Sequence, residues 1–298
     1  MAQKRGSSQR RPQRRVSGPV FVAPVLDPTW QSPYNATSEE RESRESALRG
    51  AATRRAAVIG GLGVATAIAL SLVGYVLVGV AAAVIGGIVA GTILRRSSRH
   101  LDSALDLAAR LITRFDVGGT PQDRLRLSTI AERLSATFGM DAVACMVVRD
   151  ATPNAALLMD RNGYSLLMTT GLMENADLIE LEGVVAHCMA RQRLGYLQLS
   201  AAAAQGVDSA GRRLFDKLCP DFAFRADEVA SAAIRYPVGL AGALRRCEGA
   251  IVPSSSYFAS DAFRAERVVW FDPYIDGRDV EASNRNVASV RAAALEEW

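Results

Sequence analysis

The sequence predicts an α+β protein in three parts: a disordered basic tail over residues 1–53, a transmembrane helical hairpin over 54–96, and a cytoplasmic, mostly helical domain with a small sheet over 97–298. Three observations carry this. The run Ala56 to Leu94 holds no charged residue, helical periodicity dominates the rest of the chain, and only two short runs read as strands. Composition agrees, being 49% hydrophobic but only 6% aromatic, an Ala/Val/Leu/Gly mixture that favours helices and a membrane segment.

The tail comes first. Its opening half is rich in Gln, Arg, Ser and Pro, and such a segment cannot bury enough apolar surface to offset its ordering entropy. Residues 1 to 55 carry six net positive charges, so the chain's formal +4 belongs to the tail and the remainder is slightly acidic. Ser38 to Arg49 has the pattern of a short charged helix. The cluster Arg10, Arg11, Arg14 and Arg15 lacks interleaved aromatics, so anionic lipid or topology signalling is expected of it and nucleic acid is not. The apolar run begins too late for a cleavable signal peptide.

At about 1.5 Å per residue the 39 uncharged residues would make a helix of about 58 Å, nearly twice a ~30 Å bilayer core. Two spans turning near Gly74 to Gly79 fit better than one long tilted helix, the other reading. Arg54 and Arg55 precede the run and Arg95, Arg96 and Arg99 follow it, which places both termini in the cytoplasm of a multi-pass, integral membrane protein. Gly87 and Gly91 form a small-xxx-small pair, so close helix packing and a homo- or hetero-oligomer through the hairpin are expected.

Beyond the hairpin, His100 to Phe115 is an amphipathic helix, and Pro121 opens another that Gly139 ends. Ala142 to Val148 reads as a short strand, Asp150 to Asn154 as a turn, and Ser165 to Thr170 as a second strand after the Asn162-Gly163 turn signal. Asp177 to Tyr196 is a helix, Trp270 to Pro273 a turn packed on the domain, and Asn284 to Trp298 a closing helix. Leu197 to Asp221 is too short and polar for a further span. The four cysteines, Cys145, Cys188, Cys219 and Cys247, have no CxxC spacing, and the only histidines are His100 and His187. That usage fits free thiols in a reducing compartment and excludes a histidine-rich metal site.

The stretch Leu181 to Arg191 reads like a zinc-protease helix whose reactive residues have been replaced. A working His-Glu-x-x-His helix presents two imidazoles one turn apart to Zn²⁺, with a glutamate between them to activate water. Here His187 keeps the first position, Cys188 stands at the base and Arg191 at the second histidine. A guanidinium has no lone pair to give a metal.

Several phrases in the same order extend the likeness: Pro153-Asn154-Ala155, Thr169-Thr170-Gly171-Leu172, Glu180-Leu181-Glu182-Gly183-Val184 with Ala186-His187, then Ala226-Asp227 and Tyr236-Pro237 with Leu240-Ala241 and Ala243-Leu244. Over about two-thirds of its length the chain resembles the HtpX-type membrane zinc metallopeptidases. The resemblance implies a membrane hairpin followed by a cytoplasmic zincin-like domain, an Asp227 that supports the metal-ligand histidine, and a glutamate ligand four residues before it, where this chain has Ala223. Zinc is thus the family's cofactor, but its ligands are lost at 191 and 223 and its base at 188, so no cofactor is expected. Adjacent helical residues diverge by about 100°, so His187 and Cys188 cannot share one metal or form a nucleophile–base pair.

The expected function is that of a catalytically inactive relative, a membrane-anchored binding, scaffold or regulatory subunit with the bilayer and an unidentified protein as partners. The alternative is an active membrane endopeptidase with a rebuilt site. Two structural expectations attach to the first reading. Arg191, one turn from His187, is expected to pair with Asp227 across two helices, the other reading being that it reaches solvent. The strand Ser165, Leu166, Leu167, Met168, Thr169, Thr170 is expected to match the family's edge strand and to hold an extended peptide by backbone hydrogen bonds, the other reading being a purely structural strand.

Overall fold

The structure, a computed structural model, describes residues 38–97, 100–204, 215–278, 280 and 284–298. The disorder expected of residues 1–37, and the arginine cluster there, lie outside the described residues. The tail boundary at residue 53 needs correction, because α1 (Ser38–Leu72) is one continuous helix that takes in the charged segment and the first apolar one. Spaced glutamates and arginines with alanines, and no proline, let the helix run unbroken.

A turn at Val73 to Tyr75 then reverses the chain into α2 (Val76–Ser97). Gly74 has φ +89°, a left-handed backbone in which a side chain would be strained, and it replaces the single long helix by a hairpin. Gly63 and Gly86 meet backbone to backbone: a Cβ on Gly86 would stand 3.0 Å from the Gly63 Cα. Among the described residues one helix, Val76–Arg95, is long and apolar enough to cross a membrane, and the apolar part of its neighbour, Ala56–Leu72, is shorter at 17 residues.

In the domain, α3 (His100–Arg114) and α4 (Pro121–Phe138) form as expected. Thr120 and Asp123 close a capping box at the start of α4, and Gly139 ends it at φ 61°. The sheet has three strands rather than two: β1 (Val143–Val148), β2 (Ala155–Asp160) and β3 (Gly163–Thr169). Their order is β1-β3-β2, with β1 parallel to β3 and β2 antiparallel to it. The unexpected strand is β2, whose Ala155 to Leu158 are all buried, so no alternation betrays it. Thr170 leaves the strand and opens the short α5 (Thr170–Asn175), capped by the Thr169 side chain.

Four further helices build the remaining layer: α6 (Leu178–Arg193), α7 (Tyr196–Ala204), α8 (Phe222–Ile234) and α9 (Pro237–Glu248). Gly183 brings α6 against α9 so closely that a Cβ there would stand 2.8 Å from the Leu240 backbone nitrogen. A 3-10 turn (Tyr257–Ala259), α10 (Asp261–Glu266) and a second 3-10 turn (Arg267–Val269) follow, and α11 (Ala288–Glu296) closes the chain, shorter than expected. Trp270 and Phe271 are fully buried, so this turn does pack into the domain.

Candidate functional site

Side chains from α6, α8 and α11 meet and bring the sequence-selected residues together, though not as expected. The Asp177 side chain accepts from the Glu180 amide, and Glu180 accepts from the Asp177 amide, so a capping box starts α6. Two and a half turns on, His187 (0% exposed) faces Asp227 of α8 (2% exposed), with Nδ1 2.7 Å from the Asp227 Oδ1. That contact requires the hydrogen on Nδ1, because an ionised carboxylate only accepts. The Nε2 atom therefore carries a lone pair, and it is buried with no hydrogen-bond partner.

Asp227 is held by a residue that sequence reasoning did not select. Arg291 of α11 donates from Nε to Asp227 Oδ2 at 2.6 Å and from Nη2 to Oδ1 at 2.8 Å. Its Nη1 donates to the Phe271 carbonyl at 2.8 Å. The Phe271 ring, in turn, meets the His187 ring edge-on at 5.0 Å and lies 5.0 Å from the Arg291 guanidinium. Burial alone would raise the Asp227 carboxyl, but the Arg291 charge and hydrogen bonds and the His187 contact hold it below the usual range. Burial pushes His187 down to about 4 despite Asp227 beside it, so the imidazole is neutral.

The expected Arg191–Asp227 pair is not formed, nor does Arg191 reach solvent. It is 2% exposed, and its Nη1 donates to the carbonyls of Val269 and Trp270 at 2.8 and 3.0 Å, while Nη2 donates to that of Val268. The second 3-10 turn ends there, leaving carbonyls without amide partners of their own, and the guanidinium's forked donors match three of them. Burial lowers Arg191 to about 10, which leaves it charged at neutral pH. Phe222 stands under the guanidinium at 5.4 Å, and Ala223 beside it has its amide bonded to Asn286 Oδ1 at 2.9 Å.

The expected peptide-binding strand, Ser165 to Thr170, also needs correction. It is β3, the central strand, so its backbone is hydrogen-bonded to β1 on one side and β2 on the other. An added strand needs a free row of amides and carbonyls, which a central strand lacks. The edge strand β1 is itself partly covered, since Gly118 donates to the Val147 carbonyl at 2.8 Å.

Zinc does not fit these residues. The Nε2 lone pair of His187 is one suitable donor, but position 191 presents a buried cation and position 223 a methyl group. Burial pushes the Cys188 thiol up to about 12, which keeps it protonated, whereas a metal takes a thiolate. Among the described residues no three His, Cys, Asp or Glu side chains converge as a metal site requires. The Asp227–His187 pair has the form of an oriented base, but the His187 ring is fully buried and Cys188, the adjacent thiol, is 1% exposed. The arrangement can therefore join three helices, and it offers no reacting atom to a substrate.

No protein-family model matches the chain, and no curated protein matches it in sequence.

Proposed function

We propose that the chain is a membrane-anchored, catalytically inactive relative of the HtpX-type zinc metallopeptidases, acting as a binding or scaffold subunit at the cytoplasmic membrane face. One observation carries the reading: the groups at the positions of the reactive constellation are buried and spent on one another, with Arg291 on Asp227 and Arg191 on three carbonyls. An enzyme leaves its reacting groups reachable, whereas His187, Arg191 and Asp227 here are at most 2% exposed.

The membrane part of the reading rests on Val76–Arg95, an apolar helix whose outward leucines, valines and isoleucines are largely exposed. Its close-packed neighbour α1 and the arginines at both outer ends support a two-span anchor with both termini on the cytoplasmic side. The partner that such a subunit would hold is a protein, met on the surface of the domain rather than in a cleft.

The test is proteolysis by the full-length protein in liposomes, with an unfolded membrane protein as substrate. No cleavage above the lipid background is expected, with or without added zinc. Chelator-sensitive cleavage by the purified native chain would overturn the reading.

A further inference from the structure

Three places stand out beyond the α6–α8–α11 junction. A cleft of about 350 Å³ lies between Ala151, Pro153, Asn175, Arg246 and Ile251, but Arg246 there is already paired with Glu180. The exposed apolar residues Leu178, Ile179, Tyr236 and Val238 sit at the starts of α6 and α9, with nothing to say what covers them. The tip of the hairpin carries more.

The tip, Leu72-Val73-Gly74-Tyr75-Val76-Leu77, has no charged residue, and its side chains point outward: Leu72 is 83% exposed and Leu77 86%. Leaving such leucines in water forgoes the free energy of burying their side chains. The backbone of the turn is closed on itself. Tyr75 donates to the Leu70 carbonyl at 2.9 Å and Gly74 to the Ser71 carbonyl at 3.1 Å, the paired bonds of a Schellman end. Within the helices the hydroxyls of Thr66 and Thr92 bond back to the carbonyls of Leu62 and Ile88. Polar groups satisfied internally in this way are what a hydrocarbon surrounding demands.

One set is not satisfied so. The first-turn amides of α2, those of Val76, Leu77 and Val78, have no carbonyl one turn earlier in their own helix. An amide left without an acceptor in hydrocarbon is strongly unfavourable, so the tip cannot rest at mid-bilayer. The 20 residues of α2 rise about 30 Å, the depth of a core of ~30 Å, and the 17 apolar residues of α1 rise about 26 Å, a few ångströms less. Leucines too costly for water and amides too costly for hydrocarbon are both accommodated in the layer between.

From this we infer that the hairpin crosses the whole bilayer and ends in the far headgroup layer, with the Tyr75 hydroxyl and the α2 amides bonded to lipid phosphate and ester oxygens and nothing emerging beyond. Tyr75, 61% exposed, supplies the amphipathic ring favoured at such an interface. Every soluble partner must then approach from the side of the domain. The inference rests on the membrane-anchor reading and refines it.

The test is nitroxide depth measurement on the full chain in phosphatidylethanolamine/phosphatidylglycerol liposomes, comparing collisions with oxygen and with a nickel chelate. The background is Cys145→Ala, since Cys188, Cys219 and Cys247 are buried. Labels go to Val73→Cys, Leu77→Cys, Ile85→Cys and Leu94→Cys, all at exposed positions, with Arg161→Cys in the β2–β3 turn as the aqueous reference. The expected profile is deepest at Ile85, about 15 Å below the phosphates as half of a ~30 Å core, and shallow at both Val73 and Leu94. Val73 should also lose most of the nickel accessibility that Arg161 shows. Depth rising steadily from Leu94 to Val73 would mean a hairpin that stops inside the bilayer, and nickel accessibility at Val73 equal to that at Arg161 would mean an emergent tip; either overturns the inference but leaves the anchor. No depth at Ile85 would instead remove the anchor itself.

Discussion

The molecule joins helices in two opposite ways. In the hairpin, α1 and α2 meet through glycine: a Cβ on Gly79 would stand 2.7 Å from the Ala67 carbonyl oxygen, and one on Gly86 3.0 Å from the Gly63 Cα. Between α6, α8 and α11 the join is made by charge, with Arg291, Asp227 and His187 bonded in a buried row. The first join is intolerant of added volume and the second of a missing partner. Burying a matched pair of ions gains little over a well-packed apolar contact, yet removing one member leaves a charge stranded. The two joins therefore fail differently, and substitutions can tell them apart.

The largest effect is expected of Asp227→Asn. It strands Arg291, and unfolding by denaturant in detergent should show a loss of about 3–5 kcal/mol. Combining it with Arg291→Met should cost far less than the sum of the two, because both act on one pair. Arg191→Met comes next. It leaves the carbonyls of Val268, Val269 and Trp270 without their donor, at about 1–3 kcal/mol for a buried group left unpaired. Since Arg191 does not touch Asp227, Arg191→Met and Asp227→Asn should add to within about 0.5 kcal/mol.

Acid sharpens the comparison. His187, depressed by burial to about 4 from 6.5, contributes stability that is present above pH 6.5 and lost as the pH falls through 4. Asp272, buried beside the junction and raised by burial to about 6 from 3.8, contributes in the opposite sense: its part is present below pH 3.8 and lost as the pH rises through 6. Each spans roughly 3 kcal/mol, and between pH 4 and 6 the two slopes oppose. The native chain should therefore show a nearly flat midpoint across that window. In Asp272→Asn the midpoint should rise with pH, and in His187→Gln it should fall. Equal slopes in both variants would break the account.

The hairpin supplies the last pair of substitutions. Gly86→Val should destabilise helix pairing by about 1–3 kcal/mol through overpacking, read as helicity lost on heating in micelles. Gly87→Ala, one residue on, meets nothing within 4 Å and should leave the melting profile unchanged.

How much of the molecule is legible in its sequence depends on the range of each interaction. The turn between α1 and α2, and the helices α3 and α4, depend on local signals: an uncharged run with Gly74, Pro121 and Gly139, and helical periodicity. Sequence and structure agree there, except that α1 continues outward to Ser38. Strand β2 escapes a sequence reading because Ala155 to Leu158 are buried on both faces, so no alternation marks it as a strand. The placing of His187 beside Asp227 comes from the family resemblance, and the geometry agrees with it. The Arg191–Asp227 pair fails because the true partner of Asp227 lies 64 residues further on. A signal for that partner does exist. Ala288, Arg291, Ala292 and Leu295 follow an i, i+3, i+4, i+7 stripe, so an arginine stands on the buried face of the closing helix and needs a buried anion. Sequence alone gives no means of choosing which aspartate supplies it.

The proposal at the centre of the account is that this junction stands where the peptidases it resembles hold a reactive metal. Zinc content of the full-length, detergent-purified chain, measured by plasma mass spectrometry after dialysis against zinc, tests it most directly. The combined variant Cys188→Glu, Arg191→His and Ala223→Glu serves as the positive control. The account predicts zinc far below one per chain in the native protein, because Arg191 and Ala223 offer no lone pair. Stoichiometric zinc in the native protein, lost on His187→Gln, would contradict it.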